Sequence, residues 1–555
     1  MIKGKGRDGN VSRSFVLIYK YNINNREDRN MENIVTAHNP VLKQDYPDAD
    51  VIRVDDTYYM VSTTMYFMPG GVILRSYNLA DWEIASYVFE TLDNTPGQLL
   101  EGGSNIYGQG MWAASLRYYK GTFYVCFAAN DTHKTYLYQA DNIEGPWRKQ
   151  EVKGFYHDGS LFFDDDGRAY IIYGNTNIYL AELTPDLKGP KEGGLHRLLV
   201  EDKDNDRLGY EGAHFYKING RYYVFLVHSL KNEWFRTEAC FSSDSLEGEF
   251  TGGDVICDDM GYRHSGVAQG GIVDTPDGKW YGIMFQDRGA SGRIPVLVPM
   301  QWHNKQPVFG TDGKIPVLVK TVDTRPGYIY EPLYTSDDFN YTADKDGKVH
   351  LKKAWQWNHT PHNNLWSVSE RKGALRLYSG KICSTLDEAY NTLTQRTTEP
   401  ESFVTAIIDG SHMKDGDYAG ITALIGCYGA VALAYRNGTY EIVMSGKEPQ
   451  DNSLDSAYGA LQEEKEYERV VAGGPVIRLK CQVNYTYNTD TAEFFYEQEG
   501  KWVPIGIRHK LVFKLDHFTG CRFGLFYYSL KETGGYADFM DFRYGLGQDK
   551  LFYYA

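Results

Sequence analysis

Short runs in which apolar and polar residues alternate recur along the first 320 residues, and a turn sequence interrupts each of them. Alternation with a period of two predicts a strand with one buried face, and Asn-Gly or Asp-Gly between two such runs predicts a hairpin turn. The stretch "EGAHFYKINGRYYVFLV" shows the whole pattern. Copies of this hairpin unit begin at Asp48, Trp112, Asp158, Glu211 and Gln269.

The copies follow one another at intervals of roughly 45 to 65 residues, which matches one four-stranded propeller blade with its loops. After several copies a second hairpin pattern follows, as in "YLYQADNIEGPWRK". No helical period of 3.6 separates the strands, which argues against a doubly wound fold. We therefore predict an all-β protein in which residues 32–320 form a five-bladed β-propeller.

The regions on either side of the repeats have different patterns. Residues 1–31 are polar and rich in Asn and Arg, which predicts a disordered N-terminal extension. The segment "KTVDTRPGYIYEP" is typical of a linker, which we place at residues 321–335. Residues 336–555 show short alternating strands with Gly, Asn and Asp turns, which favours a β-sandwich of the concanavalin or jelly-roll type. Its tryptophans, Trp355, Trp357 and Trp366, are expected to be packing residues.

The composition limits the kinds of molecule that the protein is expected to bind and the compartment in which it is expected to work. The net charge of −15 argues against a nucleic acid or an anionic membrane surface as the partner. No run of 18 apolar residues is present, and "SFVLIY" near the start is too short for a signal sequence. The seven cysteines are scattered and form no CxxC pair, which favours reduced core thiols in a cytoplasmic protein and indicates no zinc site.

The first residues of the five repeats carry the candidate chemistry. The innermost strand of every blade runs in the same direction, so the residues that begin these strands should meet at one end of the propeller axis. Three of them are acids: Asp48, Asp158 and Glu211. Converging carboxylates repel one another unless protons or a metal ion relieve the repulsion. A metal site would need further oxygen or imidazole ligands, whereas two carboxylates that flank an acetal are the apparatus of glycoside hydrolysis.

The motifs around these acids resemble glycoside hydrolase family 43. They are "NPVLKQDYPDADVIRV", "GMWAASLRYYKGTFYV", "HDGSLFFDDDGRAYIIYG", "YEGAHFYKINGRYYVF" and "GGIVDTPDGKWYGIMFQDRGASGRIPVLVPMQW", and the resemblance runs from about residue 38 to the C-terminus. It implies that Asp48 is the general base, Glu211 the general acid, and Asp158 the residue that orients the acid and tunes its protonation. The family's usual Asp-Pro is Asp48-Ala49 here, which keeps the carboxylate.

The same resemblance implies a set of substrate-binding residues. Trp112 matches a pocket-wall aromatic, and Arg293 matches an arginine that binds substrate hydroxyls. We expect Phe67 to shape the pocket rim. Gln269 stands where many members carry a histidine that can hold calcium, so we assign it to substrate binding and predict no metal ligand. No cofactor is required by this scheme, and the sequence leaves a structural calcium open.

Two histidines near the acids remain to be assigned. His214 follows Glu211 closely and is equally consistent with an orienting role and with plain core packing. His157 precedes Asp158 but belongs to no motif that would assign it a role.

These inferences predict an exo-acting, inverting glycosidase that releases xylose or arabinose from xylo-oligosaccharides or arabinoxylan. Such an enzyme would be a β-xylosidase, an α-L-arabinofuranosidase or both, with an oligosaccharide as its partner. Two alternatives stay open. One is a retaining transglycosylase that acts on sucrose with the same propeller, and the other is a carbohydrate-binding protein without activity. The sequence does not determine the oligomeric state.

Overall fold

The first part of the chain is a five-bladed β-propeller. The computed structural model describes residues 33–450 and 461–547, so the extension expected at residues 1–31 lies outside the described residues. The chain enters the propeller through β1 (Ile34–His38). Each blade is a four-stranded antiparallel sheet in which consecutive strands are neighbours. The predicted fold class is confirmed.

The strands of the blades are as follows. The first blade contains β2 (Asp50–Val54), β3 (Thr57–Ser62), β5 (Gly70–Ser76) and β6 (Glu83–Phe89), with a short strand β4 (Phe67–Met68) between β3 and β5. The second contains β7 (Met111–Tyr119), β8 (Thr122–Ala129), β9 (Lys134–Ala140) and β10 (Arg148–Val152). The third contains β11 (Ser160–Phe163), β12 (Ala169–Tyr173), β13 (Asn177–Glu182) and β14 (His196–Glu201). The fourth contains β15 (Glu211–Ile218), β16 (Arg221–Ser229), β17 (Arg236–Ser243) and β18 (Thr251–Ile256). The fifth contains β19 (Val267–Asp274), β20 (Trp280–Asp287), β21 (Arg293–His303) and β22 (Gln306–Phe309).

The turns that separate the first two strands of each blade follow the sequence pattern. Two-residue hairpin loops form at Lys120-Gly121 and at Asn219-Gly220, and all four residues have positive φ. Two successive residues with positive φ give the turn whose twist matches that of the flanking strands. The dipeptides that signalled the repeats therefore also set the register of the innermost strand pairs.

The ring is closed by contacts between its first and last elements. The amide of Gly271 in the fifth blade donates to the carbonyl of Ala49, which precedes the first blade, over 3.0 Å. In addition, β1 pairs antiparallel with β23 (Leu318–Val322), with Ile34 opposite Val322. These contacts bring the first and last blades side by side, so residues from blades one and five share the same end of the axis.

A buried polar network fills the axis below that end. Asp50 is fully buried and accepts hydrogen bonds from the amide of Leu116 (2.7 Å) and from the guanidinium of Arg117. His214 Nδ1 lies 3.0 Å from its other oxygen. Burial acts to raise the pKa of Asp50, but Arg117 and His214 together hold it below the ordinary value. Arg117 also donates to Ser160 Oγ over 2.7 Å, so one network joins blades one to four.

The second domain is a β-sandwich, as the sequence predicts. One sheet has eight strands in the order β32-β31-β30-β29-β36-β27-β24-β4, and the other has seven in the order β25-β26-β37-β28-β33-β34-β35. Their bounds are β24 (Gln356–Asn358), β25 (Trp366–Ser367), β26 (Leu375–Tyr378), β27 (Leu393–Arg396), β28 (Glu401–Asp409), β29 (Asp417–Leu424), β30 (Gly429–Arg436), β31 (Thr439–Gly446), β32 (Lys465–Val471), β33 (Val476–Asn484), β34 (Thr491–Gln498), β35 (Lys501–Lys510), β36 (Arg522–Ser529) and β37 (Tyr536–Leu546).

The two domains share a sheet edge. The propeller's β4 pairs with β24 of the sandwich, with Met68 opposite Trp357. Trp355 and Trp357 are buried, and Trp366 packs on Trp357 with the ring centroids 5.0 Å apart. The three tryptophans therefore serve in packing, as expected.

Two buried arginines, Arg396 and Arg522, lie at the interface between the domains, and Arg522 packs against Phe67. The guanidinium of Arg522 lies 3.5 Å from the centroid of the Phe67 ring, which is itself buried. Arg396 and Arg522 both donate to Gln356 Oε1, over 3.0 and 2.9 Å. Burial, with a contribution from Arg396, lowers the pKa of Arg522 to about 9. The expectation that Phe67 shapes the pocket rim is therefore wrong: its ring is covered by the sandwich and packs in the domain interface.

Two further findings concern the state of the cysteines and the possibility of a membrane-spanning helix. All seven cysteines are free thiols; six are buried and Cys257 is exposed. Among the described residues, no helix is long and apolar enough to cross a membrane.

Candidate active site

The three acids meet at one end of the propeller axis. Asp48 and Asp158 each stand two residues before an innermost strand, and Glu211 is the first residue of β15. Asp48 and Asp158 have φ values of 54° and 47°, a left-handed conformation that costs a non-glycine residue energy and often marks a functional position. A carboxylate oxygen of Asp158 and one of Glu211 lie within 4.8 Å of each other. The charges of Glu211 and Asp48 both act on Asp158, so all three acids lie within electrostatic reach of one another, as the repeat pattern predicts.

Asp48 is held by a buried ion pair. Arg293 Nη1 donates to both oxygens of Asp48, over 2.9 and 3.2 Å, and both side chains are almost completely buried. The amide of Arg293 in turn donates to Asp45 Oδ1 over 2.8 Å. A Cβ at Gly292, whose φ is 101°, would lie only 2.4 Å from Asp45 Oδ1. The position before Arg293 therefore requires glycine, because a side chain there would collide with Asp45. The contact with Asp45 holds Arg293 in place, and Arg293 in turn orients the Asp48 carboxylate.

Asp158 is buried without a full set of partners. Among the residues that the structure describes, its Oδ1 has no hydrogen-bond partner. Burial, with the nearby negative charges of Glu211 and Asp48, raises the pKa of Asp158 to about 6, while His157 and Arg293 act in the opposite direction. The carboxylate therefore carries its charge at neutral pH and loses it as the pH falls through about 6.

Glu211 is the most accessible of the three acids, with 17% of its side chain exposed. Asn175 Nδ2 donates to Glu211 Oε2 over 2.5 Å. Asn175 lies in the loop between β12 and β13 of the neighbouring blade, so this contact sets the direction of the glutamate from outside its own blade. An accessible carboxyl oriented by a neutral amide is suited to donate a proton to a bound molecule.

His157 is the charged neighbour that sequence reasoning missed. Its Nε2 lies 3.5 Å from Glu211 Oε2 and 3.8 Å from Asp158 Oδ2. The charge of Asp158, followed by that of Glu211, outweighs burial and raises the pKa of His157 to about 9. An imidazolium therefore stands between the two acids at neutral pH. The sequence feature that could have identified His157 is its position directly before Asp158 in "HDGS".

An aromatic wall closes one side of the site, and the sandwich provides part of it. The Trp112 ring lies 5.5 Å from the ring of His157 and 5.7 Å from that of Phe518, centroid to centroid. Phe518 belongs to the loop between β35 and β36, and the guanidinium of Arg293 lies 4.3 Å from its ring centroid. The amide of Gly520 donates to Asp45 Oδ2 over 2.8 Å, which anchors this loop to the propeller.

Gln269 lies beside the acids but is buried. Its side chain packs on Gly212, where an added Cβ would come within 2.8 Å of Gln269 Cγ. Its amide donates to Glu238 Oε2 over 2.7 Å. Burial raises the pKa of Glu238 to about 8, so this acid is largely neutral at pH 7. The substrate-binding role assigned to Gln269 stays a prediction.

Among the described residues, one group of three potential metal ligands has its ligand atoms within 4.8 Å of one another: His157, Asp158 and Glu211. The group places a charged imidazole beside two carboxyl groups, an arrangement that is also consistent with acid–base chemistry.

The charge of His157 leads to a pH prediction. Replacing His157 with glutamine removes a positive charge that favours the ionised form of Asp158, so this carboxyl should keep its proton to a pH above about 6. The acidic limb of the rate–pH profile is expected to move up by about one pH unit, which corresponds to about 1.4 kcal/mol of interaction. Rates of 4-nitrophenol release between pH 4 and 10 measure this shift.

The control for this experiment is His350→Gln, an exposed histidine on the sandwich. Adding Asp158→Asn to the His157→Gln variant should abolish this shift, because an amide does not titrate in this range. An acidic limb that stays in place in His157→Gln would show that His157 does not set the charge of Asp158.

Comparisons with known proteins identify the family and agree with the fold. Residues 37–307 match the model of glycosyl hydrolases family 43, and residues 343–545 match that of the β-xylosidase C-terminal concanavalin A-like domain. A β-xylosidase of Formosa agariphila is 28% identical over 92% of this chain and 90% of its own length.

Solved structures that are similar over 92% of this chain include two proteins of this family. A bifunctional family 43 protein of Bacteroides eggerthii has a TM-score of 0.83 at 40% identity, and this chain spans 64% of its length. An engineered family 43 enzyme, described as having both endo-xylanase and exo-arabinofuranosidase activity, has a TM-score of 0.81 at 26% identity over its whole length.

The family model and the named relatives together show the class of protein: it is a glycosidase, an enzyme that hydrolyses O-glycosyl bonds of oligosaccharides. With both domains matched in sequence order, the chain belongs to glycoside hydrolase family 43.

Proposed function

We propose that this glycosidase is an exo-acting, inverting enzyme that releases single pentosyl units, xylose or arabinose, from xylo-oligosaccharides or arabinoxylan. The observation that carries the proposal is the pairing of two differently equipped carboxylates in one walled pocket. Asp48 is buried against Arg293, whereas Glu211 is accessible and oriented by Asn175. The names of relatives, β-xylosidase and exo-arabinofuranosidase, support a pentose as the sugar.

The roles of the two acids follow from these surroundings. Asp48 takes a proton from a water molecule whose oxygen attacks the anomeric carbon. Glu211 gives its proton to the glycosidic oxygen as the bond to the anomeric carbon breaks, so the leaving sugar departs as an alcohol. Asp158 and His157 set the charge around Glu211. Arg293 and the rings of Trp112 and Phe518 hold the pentose. In this scheme no metal ion takes part.

Phe518 supports the exo mode. Phe518 reaches the site from the sandwich domain and packs against Arg293. The Phe518 side chain and the loop that carries it therefore close the site on this side. A closed end on this side accommodates a terminal sugar or a side branch and excludes a continuing chain. Action within the cytoplasm on imported oligosaccharides remains our proposal for its location.

Two measurements test the proposed reaction. We expect release of 4-nitrophenol from 4-nitrophenyl β-D-xylopyranoside or from the α-L-arabinofuranoside, measured side by side. We also expect proton NMR of β-xyloside hydrolysis to show α-xylose first, because direct attack by water inverts the anomeric centre. A first-formed β anomer would contradict inversion and favour the retaining transglycosylase. The absence of hydrolysis would favour a carbohydrate-binding protein.

A further inference from the structure

A hairpin loop of the fourth blade rises beside the general acid. Glu211 pairs in register with Val227 of β16, and Ser229, two residues further, pairs with Arg236 of β17. Since β16 runs toward the end of the propeller where the acids meet, the connecting loop at residues 230–235 extends beyond Glu211 at the mouth of the pocket.

That loop carries an exposed tryptophan. Among the described residues, two tryptophans have more than a third of their surface exposed: Trp234 with 51% and Trp502, on the sandwich, with 39%. A single exposed apolar side chain needs no explanation by itself, so it is the position of the tryptophan relative to the acids that matters here. Trp234 follows the acid's own hairpin, whereas Trp502 lies on the far domain in β35.

The loop is built to hold this side chain outward. The neighbouring Phe235 is buried and packs on His264 with ring centroids 4.7 Å apart. The amide of Leu230 donates to the carbonyl of Phe235 over 3.1 Å, which closes the loop. His264 Nε2 also lies 2.9 Å from Glu233 Oε2, which places a polar pair next to the indole. Anchored by Phe235, the loop presents Trp234 without needing to rearrange.

A largely buried cation lies close to the indole and within electrostatic reach of the catalytic acids. The guanidinium of Arg236 lies 5.5 Å from the centroid of the Trp234 ring, and its Nε donates to Asp287 Oδ2 over 2.7 Å. Burial acts to lower the pKa of Arg236, but the carboxylates of Asp287 and, beyond it, Glu211 and Asp48 raise it. A cation near one ring face, itself fixed by an ion pair, restricts the motion of the ring.

We propose that Trp234 is the stacking platform for the sugar that leaves in the reaction, the pyranose on the reducing side of the cleaved bond. This inference rests on the proposed function. The leaving sugar must project from Glu211 toward the pocket mouth, where Trp234 lies. The C–H face of a pyranose packs well on an indole, while Glu233 and His264 offer partners for its hydroxyls. Trp234 thus favours oligosaccharides over glycosides with small aglycones.

The test compares substrates that share the released pentose and differ in the leaving group. For Trp234→Ala, kcat/KM on xylobiose and xylotriose is expected to fall roughly three- to tenfold, the equivalent of one lost stacking contact. On methyl β-D-xyloside, which releases methanol, kcat/KM should stay within about twofold of the parent. If the parent enzyme prefers arabinose, arabinobiose and methyl α-L-arabinofuranoside take their places. Trp234→Phe keeps a ring and should recover part of the loss.

The outcomes separate the two proposals. Trp502→Ala, the matched control, should leave all rates unchanged. If the parent enzyme cleaves these substrates and Trp234→Ala lowers none of the rates, or lowers all of them equally, the platform is wrong and the proposed function stands. If the parent enzyme cleaves none of them, the proposed function fails and the platform fails with it.

Discussion

Replacing Glu211 with glutamine is expected to lower kcat/KM on xylobiose by roughly 100- to 10,000-fold, the usual contribution of a general acid. Glutamine keeps the size of the side chain and can still contact Asn175, but it has no proton to give to the glycosidic oxygen. A sugar is a poor leaving group and needs that proton, whereas 4-nitrophenolate leaves without it. The loss on 4-nitrophenyl pentosides should therefore be much smaller than the loss on xylobiose.

The control for this prediction is Glu249→Gln, an exposed acid of the same blade, which should leave both rates unchanged. Thermal unfolding of the two variants shows whether the fold is retained. An equal loss of Glu211→Gln activity on both substrates would argue against Glu211 as the acid.

Replacing Asp48 with asparagine should lower kcat by a similar factor, roughly 100- to 10,000-fold, but equally on xylobiose and on the aryl pentosides. Activation of the attacking water is needed whatever group leaves, and an amide cannot take its proton. The same change leaves the buried guanidinium of Arg293 without its carboxylate. Breaking a buried ion pair typically costs about 3–5 kcal/mol of stability, so the melting temperature should fall as well.

Rates for Asp48→Asn therefore have to be measured well below its melting temperature, with binding of the substrate checked by calorimetry. Asp55→Asn is the matched control: it lies in the first turn of the same blade, is exposed, and has a left-handed conformation that asparagine tolerates. A loss confined to xylobiose would assign Asp48 to the acid step instead, and near-normal rates on both substrates would remove it from the mechanism.

The sequence by itself determined the blades and the acids. Period-two alternation and the turn dipeptides are local signals, since they depend on residues a few positions apart, and they predicted the hairpins at Lys120-Gly121 and Asn219-Gly220 correctly. Because the hairpin units repeat, equivalent positions of different blades must lie around one axis. The meeting of Asp48, Asp158 and Glu211 followed from that symmetry alone, and the family resemblance added their roles.

Only the tertiary structure decided which other residues complete the site. Phe518 reaches Arg293 from a loop 225 residues away in another domain, and no local pattern reports how two domains dock. The same docking buries Phe67, which the sequence placed at the rim. His157 belongs to no repeat position, and its charge arises from the neighbouring Asp158 and Glu211. Local periodicity determines strands and their order, whereas contacts between distant segments determine which side chains share a pocket and which charges they carry.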